Sequence, residues 1–136
     1  MGPLAAMDIS TSGLTAYRES MNVIASNIAN MYSTVTPQGG PYQAQQAVLG
    51  EGPSFGSTLQ AAFAPQGVEV AAIVPESGAP AAPPATAGGV QQQTNVDLVQ
   101  QMSQLIAASR AYDANASAFS VEKSVESRAL QLGQNA

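Results

Sequence analysis

The stretch LTAYRESMNVIASNIANM, residues 14–31, contains the pattern that decides the fold of this chain. Large apolar side chains recur there in steps of three and four residues, at Leu14, Tyr17, Met21, Ile24, Ile28 and Met31. That spacing aligns one apolar stripe along one side of an α-helix. The pattern predicts an N-terminal helix, over Met7–Asn30, that packs on a partner helix. Its expected N-terminal caps are Asp8, Ser10, Thr11 and Ser12.

A second stripe with the same spacing lies in the C-terminal part of the chain, at Leu98, Met102, Leu105, Ser109, Tyr112, Ala116 and Phe119. Farther along, the apolar positions shift to Val121, Val125, Ala129 and Leu132. A stripe that rotates in this way is expected when one helix touches more than one neighbour. We predict a helix over Thr94–Leu132, with Thr94 as its cap and Gly133 just after its end.

Between the two helices the sequence predicts a small β-rich insert and a linker. Alternating apolar residues indicate strands over Tyr42–Leu49 and Gly67–Val74, with a turn at Gly50–Ser54. Residues 75–93 are rich in Pro, Ala and Gly and lack apolar periodicity, as is typical of a linker.

These segments divide the chain into an N-terminal helix, a short β-rich insert, a linker and a C-terminal helix, over residues 1–30, 31–74, 75–93 and 94–136. The predicted fold class is α+β. The two long helices pair as an antiparallel or coaxial coiled coil and form one core domain, and the middle is small and β-rich or irregular.

Composition excludes several classes of function. The chain has no His and no Cys, so imidazole bases, thiol nucleophiles, disulfides and the common zinc and haem ligand sets are absent. We therefore expect no enzyme activity, no cofactor and no metal. The net charge of −5 argues against nucleic-acid binding. No apolar run is long enough to span a membrane, and the first residues do not resemble a cleavable signal peptide.

Both ends of the sequence resemble one family. The N-terminal block includes Met7-Asp8-Ile9-Ser10, Ser12-Gly13-Leu14, Ser26-Asn27-Ile28-Ala29-Asn30 and Gly39-Gly40-Pro41-Tyr42. The C-terminal block includes Asn95-Val96-Asp97-Leu98-Val99, Ala108-Ser109-Arg110-Ala111-Tyr112-Asp113-Ala114-Asn115 and Ala118-Phe119. Together these motifs are similar to those of the bacterial flagellar basal-body rod proteins, and the proximal-rod branch is the nearest in pattern.

The resemblance implies a structural subunit of the proximal rod, which polymerises through its terminal helices and carries torque across the cell envelope. The partners it implies are other rod proteins, further copies of the chain, the base of the inner-membrane ring and the flagellar type III export apparatus. It also implies a location in the periplasm-spanning rod of the basal body, reached by export without a cleaved signal peptide.

We assign an assembly interface to the residues of both stripes and to the amides beside them, namely Leu14, Tyr17, Met21, Ile24, Asn27, Ile28, Asn30, Leu98, Met102, Leu105, Tyr112, Asn115 and Phe119. Polar residues beside such a stripe can fix the register of the helices. Periodicity alone fits equally well the core of a monomeric helical hairpin. The alternative function is therefore a soluble helical-hairpin adaptor or a chaperone-like module that binds one partner.

Overall fold

In sequence order, the chain has a long helix, two strands and a second long helix. The structure, a computed structural model, describes residues 3–37, 40–51, 67–76 and 94–134. Its elements are α1 (Pro3–Ala29), β1 (Gln45–Glu51), β2 (Val68–Pro75) and α2 (Leu98–Gln134). Helix α1 contacts each of the other three elements, so it is the centre of the packing.

Helix α1 begins four residues earlier than predicted, at Pro3. Proline is well suited to the first turn of a helix, where its missing N–H is not needed. The predicted caps therefore lie inside the helix, and that prediction is wrong. The hydroxyl of Thr11 donates to the carbonyl of Met7 at 2.8 Å, and that of Ser12 to the carbonyl of Ile9 at 2.7 Å. These hydroxyls bond to carbonyls of the preceding helical turn and do not cap the start of the helix.

Helix α2 begins at Leu98, four residues after the predicted Thr94. Its cap is Asp97, whose Oδ1 accepts hydrogen bonds from the N–H of Val99 at 2.9 Å and of Gln100 at 3.3 Å. The helix has 37 residues and a length of about 55 Å. It continues to Gln134, so the predicted end before Gly133 is wrong.

The strands form a two-stranded antiparallel sheet, and they lie within one to three residues of the predicted bounds. Their pairing runs from Gln45 opposite Pro75 to Glu51 opposite Val68, with a bulge after Val48. Pro75, predicted as the first linker residue, is the last residue of β2. Most of the predicted turn after Gly50 and the linker from residue 77 to residue 93 lie outside the described residues.

The two helices are antiparallel, because the start of each lies beside the end of the other. Ser10 of α1 contacts Glu122 of α2, whereas Asn27 of α1 contacts Gln101. The structure thus confirms the α+β fold class and selects the antiparallel arrangement from the two that the sequence allowed. Within the described part of the chain the buried apolar core is small, and it consists of Ala16, Val23, Ile24, Ala44 and Ala108.

Candidate assembly interface

Asn27, near the end of α1, is fully buried and joins both helices and the sheet. Its Nδ2 donates to the carbonyl of Gln45 at 2.7 Å and to Oε1 of Gln101 at 2.8 Å. Its Oδ1 accepts from the N–H of Gln45 and from the hydroxyl of Tyr42, both at 2.9 Å. One side chain therefore makes four hydrogen bonds, which is the full capacity of an amide.

Gln101 extends these bonds from α2 to the end of β2. The residue is 1% exposed, and its Nε2 donates to Oε2 of Glu76 at 3.3 Å. The same carboxylate accepts a hydrogen bond from the side chain of Gln100. We call Asn27, Tyr42, Gln45, Glu76 and Gln101 the polar network. Every buried side-chain nitrogen and oxygen in the described part of the chain has a partner, so burial of this network leaves no side-chain group unsatisfied.

A second set of bonds holds the start of α2 to the sheet. The N–H of the fully buried Ala44 donates to Oδ1 of Asn95 at 2.8 Å. The carbonyl of Ala44 accepts from the N–H of Glu76 at 2.9 Å. The hydroxyl of Thr94, predicted as a cap, instead donates to the carbonyl of Met31. The segment before α2 is therefore fixed against both the sheet and the end of α1.

At the opposite end of the helix pair the contacts are fewer. A Cβ atom added at Gly13 would lie 2.9 Å from Oδ1 and 3.0 Å from Cγ of Asn115, so the two helices approach closely there. The hydroxyl of Ser10 donates to the carboxylate of Glu122, with oxygen distances of 3.0 and 3.2 Å. Gly13, which costs helix stability, is thus at a position where a larger side chain would collide.

The start of β2 is attached to α1 near the same place. The N–H of Val68 donates to the hydroxyl of Ser12 at 3.0 Å. A Cβ atom at Gly67 would collide with that hydroxyl. Glycine is therefore needed at residue 67 for the strand to reach the helix.

The contact line between the helices is built from smaller and more polar residues than the two apolar stripes. On α1 its buried members are Ser10, Gly13, Ala16, Val23, Ile24 and Asn27. On α2 the line follows steps of four and three residues, through Gln101, Leu105, Ala108, Tyr112, Asn115, Phe119 and Glu122, of which Gln101 and Ala108 are buried. Small side chains allow close approach of the helices, and the larger ones flank the line.

The residues of the predicted interface fall into three classes of exposure. Ile24 and Asn27 are buried within the chain, and Leu98 and Met102 are exposed. The half-buried members are Leu14, Tyr17, Met21, Ile28, Asn30, Leu105, Tyr112, Asn115 and Phe119. Asn30 bonds locally, to the carbonyl of Ser26 at 2.9 Å and to the hydroxyl of Ser33 at 3.2 Å. The role of this set in assembly stays a prediction.

Helix α2 exposes two separate groups of apolar side chains. The outer stripe consists of Leu98, Val99, Met102 and Ile106, which are 38%, 74%, 52% and 53% exposed. The distal stripe consists of Val121, Val125 and Leu132, which are 62%, 53% and 74% exposed. Around the axis of α2, with 100° per residue, the outer stripe lies about 125° to one side of the contact line. The distal stripe lies about 130° to the other side. Sequence reasoning missed Val99 and Ile106, although both lie at helical spacing from Met102.

We define the sheet-side end of the helix pair as residues 20–29 of α1 and 98–108 of α2. A groove lies beside the contact line at this end. It has a volume of about 340 Å³, and its lining includes Tyr17, Ile24, Ala47, Gln104 and Ala108. The lining is mixed apolar and amide, with no charged side chain. Its chemistry fits a protein side chain better than a charged ligand.

Neither described helix has the length of apolar sequence that a bilayer crossing requires. Residues 3–37, 40–51, 67–76 and 94–134 contain no cluster of three acidic side chains that could hold a metal ion.

Comparison with known proteins identifies the family. Residues 7–38 match the family described as flagella basal body rod protein, and residues 87–132 match the family described as flagellar basal body rod FlgEFG protein C-terminal. Both matches coincide with the helix-bearing ends of the chain.

Several relatives that align over nearly their whole length carry the same name as one another. Flagellar basal-body rod protein FlgC of Salmonella typhimurium is 38% identical, and the alignment covers 98% of this chain and all of the relative. The FlgC proteins of Borreliella burgdorferi and Bacillus subtilis are 34% and 33% identical, over 98% and 94% of this chain and 99% and 96% of theirs. On this sequence similarity, together with the two matched ends, the chain belongs to the flagellar basal-body rod protein FlgC family.

Proposed function

We propose that this chain is a structural subunit of the proximal rod of the bacterial flagellum, and that it polymerises through the outer faces of its helices. Family membership supports the rod role. The single observation that supports the mechanism is the pair of separate exposed apolar stripes on α2, which lie about 105° apart on the side of the helix that faces away from α1. Apolar patches of this kind on a protein surface mark sites of association.

The geometry of the stripes supports contacts with two different neighbours. A surface on each flank of one helix can bind two subunits at once, and such unlike contacts generate open helical assemblies when the rotation does not close. Because the stripes are also displaced along α2, the two neighbours would be offset along the helix axis. This arrangement fits a tubular rod in which every subunit contacts subunits on both sides.

Partners and location follow from the same proposal. The neighbours are further copies of this chain and other rod proteins, with the base of the inner-membrane ring at one end of the rod. Delivery uses the flagellar type III export apparatus, and the assembled subunit lies in the part of the rod that spans the periplasm. Torque passes through the buried contacts between subunits, so the function requires no cofactor and no catalytic step.

The test compares two carboxylates placed on the same helix. Met102→Asp puts a charge on the outer stripe, whereas Ser103→Asp puts the same charge on an exposed residue beside it. In a strain that lacks its own copy of the gene, the first variant is expected to abolish basal-body rods and swimming, because an unpaired buried charge prevents association. The second variant is expected to support both.

Circular dichroism of the two purified variants controls for folding, and both should retain the helix content of the parent chain. Normal rods from Met102→Asp would contradict the assignment of the outer stripe to assembly. A folded chain that binds one partner but never enters rods would instead favour the helical-hairpin adaptor.

A further inference from the structure

The contact line between α1 and α2 has little shape of its own to fix the register of the two helices. Its members at the middle of the pair are small, such as Gly13, Ala16 and Ala108. A surface of small residues at regular spacing packs almost equally well after a shift of one heptad. The small residues therefore do not fix the register alone, although the close approach of Gly13 to Asn115 favours the observed one.

Chain connectivity does not specify the register either. The end of β2 and the start of α2 are separated by residues 76–97, a stretch far longer than a tight turn. The length of this link does not set one offset between the helices, so the register depends on the contacts of the described residues, which include the bonds of Thr94 and Asn95 before α2 as well as those of Gln101.

We propose that Asn27 and Gln101 form a polar lock that selects one register of the helical hairpin and attaches it to the sheet. The bond from Nδ2 of Asn27 to Oε1 of Gln101, at 2.8 Å, is a buried side-chain bond that joins the two helices. A shift of one heptad in one direction would place Ala108 opposite Asn27, and alanine has no side-chain acceptor. A shift in the other direction would place Thr94 there, which lies before the start of α2 and would lose its own bond to Met31. The buried amide would then lose a partner, which penalises the shifted state specifically.

The sheet strengthens the selection, because Asn27 is bonded to β1 and Gln101 is bonded to the residue that follows β2. Asn27 is bonded to both backbone groups of Gln45, and Gln101 is bonded to Glu76. A shift of α2 would break its bond to Glu76 as well as its bond to α1. The contact between Gly13 and Asn115 lies in the same register at a distance from the lock, so it reports the register independently.

The lock concerns the folded chain alone and does not depend on the rod assignment. Its consequence is geometric: it fixes where the outer and distal stripes of α2 lie relative to α1 and the sheet. Buried polar residues of this kind are known to specify helix register at some cost in stability.

Disulfide formation in the full chain can measure the register directly. The chain contains no Cys, so an introduced pair is the only pair present. Cγ of Asn115 lies 3.0 Å from the position of a Cβ atom on Gly13, which suits a disulfide in the chain with Gly13→Cys and Asn115→Cys. Two further chains combine Gly13→Cys with Ala108→Cys or Glu122→Cys. Each reports a shift of one heptad, about 10 Å along the helix.

The decisive substitution is Gln101→Met, which keeps the length and shape of the side chain and removes its hydrogen bonds. In the parent background only the pair at residues 13 and 115 should form a disulfide in a glutathione buffer. With Gln101→Met, the fraction of this disulfide should fall at least threefold, and one of the shifted pairs should gain it. Helix content by circular dichroism should stay close to that of the parent, because Met favours helix.

Two control backgrounds separate the lock from general effects of substitution. Gln104→Met makes the same chemical change one turn along α2, and it should leave all three disulfide yields unchanged. The double change Glu76→Gln with Gln101→Glu exchanges the two side chains. Glu at residue 101 can accept a hydrogen bond from Asn27, and Gln at residue 76 can donate one to residue 101. That chain should form the disulfide between residues 13 and 115 as the parent does.

The proposal is overturned if Gln101→Met gives the parent pattern of disulfides. Loss of helix content in that variant would overturn it as well, because the amide would then supply general stability and not register. If the double change behaves like Gln101→Met, the hydrogen bonds are not the cause of the register, and the lock is also rejected.

Discussion

The sheet-side end of the helix pair and its open end, which we define as residues 3–16 of α1 and 111–134 of α2, are built differently. At the sheet-side end, buried residues come from both helices, and the polar network connects them to the sheet. At the open end, α1 has three buried residues and the described part of α2 has none. Over residues 120–133 the side chains of α2 are exposed, apart from the half-buried Glu122 and Glu126.

This difference separates the part of the chain that folds by itself from the part that has surface available for neighbours. A helix longer than its partner buries little on its own, and helices gain most of their stability from packing. The sheet-side end therefore supplies the stability of the isolated subunit. The open end exposes the distal stripe. We expect it to become as well ordered as the sheet-side end only when another subunit covers it.

The largest effect should come from removal of the amide at the centre of the polar network. Asn27→Leu leaves both backbone groups of Gln45 and Oε1 of Gln101 without the partner that Asn27 supplies, and each such group costs about 1–3 kcal/mol. We expect the free energy of unfolding to fall by about 3 kcal/mol. Urea denaturation followed by circular dichroism measures this value.

The matched control is Asn30→Leu, because Asn30 directly follows the end of the same helix and bonds only to the last turn of the helix and the next loop in the described contacts. Its expected cost is below about 1 kcal/mol. Equal losses in the two variants would show that the polar network has no special place in the fold.

A smaller effect is expected where the helices approach closely at the open end. Gly13→Val should cost about 2 kcal/mol, since its side chain would collide with Asn115. Gly13→Ala should change the free energy of unfolding by less than about 1 kcal/mol, because better helix propensity offsets the displacement of one flexible side chain. Urea denaturation of both variants provides the comparison.

A double-mutant cycle identifies the contact responsible. In the Gly13→Val background, Asn115→Ala removes the atoms that collide and should recover at least half of the loss. No recovery would mean that the strain at Gly13 comes from another part of the helix pair.

The smallest effect on folding should come from the distal stripe. Val125→Asp changes an exposed residue, so the free energy of unfolding of the isolated chain should change by less than about 0.5 kcal/mol. The exposed Ser124 is the control position for the same carboxylate. Sedimentation and electron microscopy of basal bodies from the two variant strains should show rods for Ser124→Asp and none for Val125→Asp. A large loss of stability for Val125→Asp would show that this stripe belongs to the fold of the single chain.

The sequence was sufficient to predict the elements, because two long periodic segments and two alternating ones have strong signals. Helix starts were less accurate. Ser10 and Thr11 are common cap residues, yet Pro3 begins the helix earlier, and their hydroxyls bond to the preceding turn. Asp97, three residues after the predicted cap Thr94, provides the actual cap of α2.

The side of α2 that faces α1 could not be predicted from the positions of its apolar residues. Heptad analysis ranks positions by hydrophobic size and therefore favours Leu98 and Met102, whereas the structure exposes both. Gln101 is the residue that is buried, and nothing in its local sequence distinguishes it from Gln100 or Gln104. Its burial depends on Asn27 and Glu76, which are distant in sequence and are brought together only by the fold.

The most direct test of this account is hydrogen exchange measured along the full isolated chain. Exchange reports the free energy of local opening, which is high where buried contacts and hydrogen bonds are dense. We expect the slowest amides in residues 23–29 of α1 and 101–108 of α2, and exchange at least tenfold faster in residues 121–134. Equal protection along the whole of α2 in a monomeric sample would contradict the division between a self-sufficient sheet-side end and an open end that depends on neighbours.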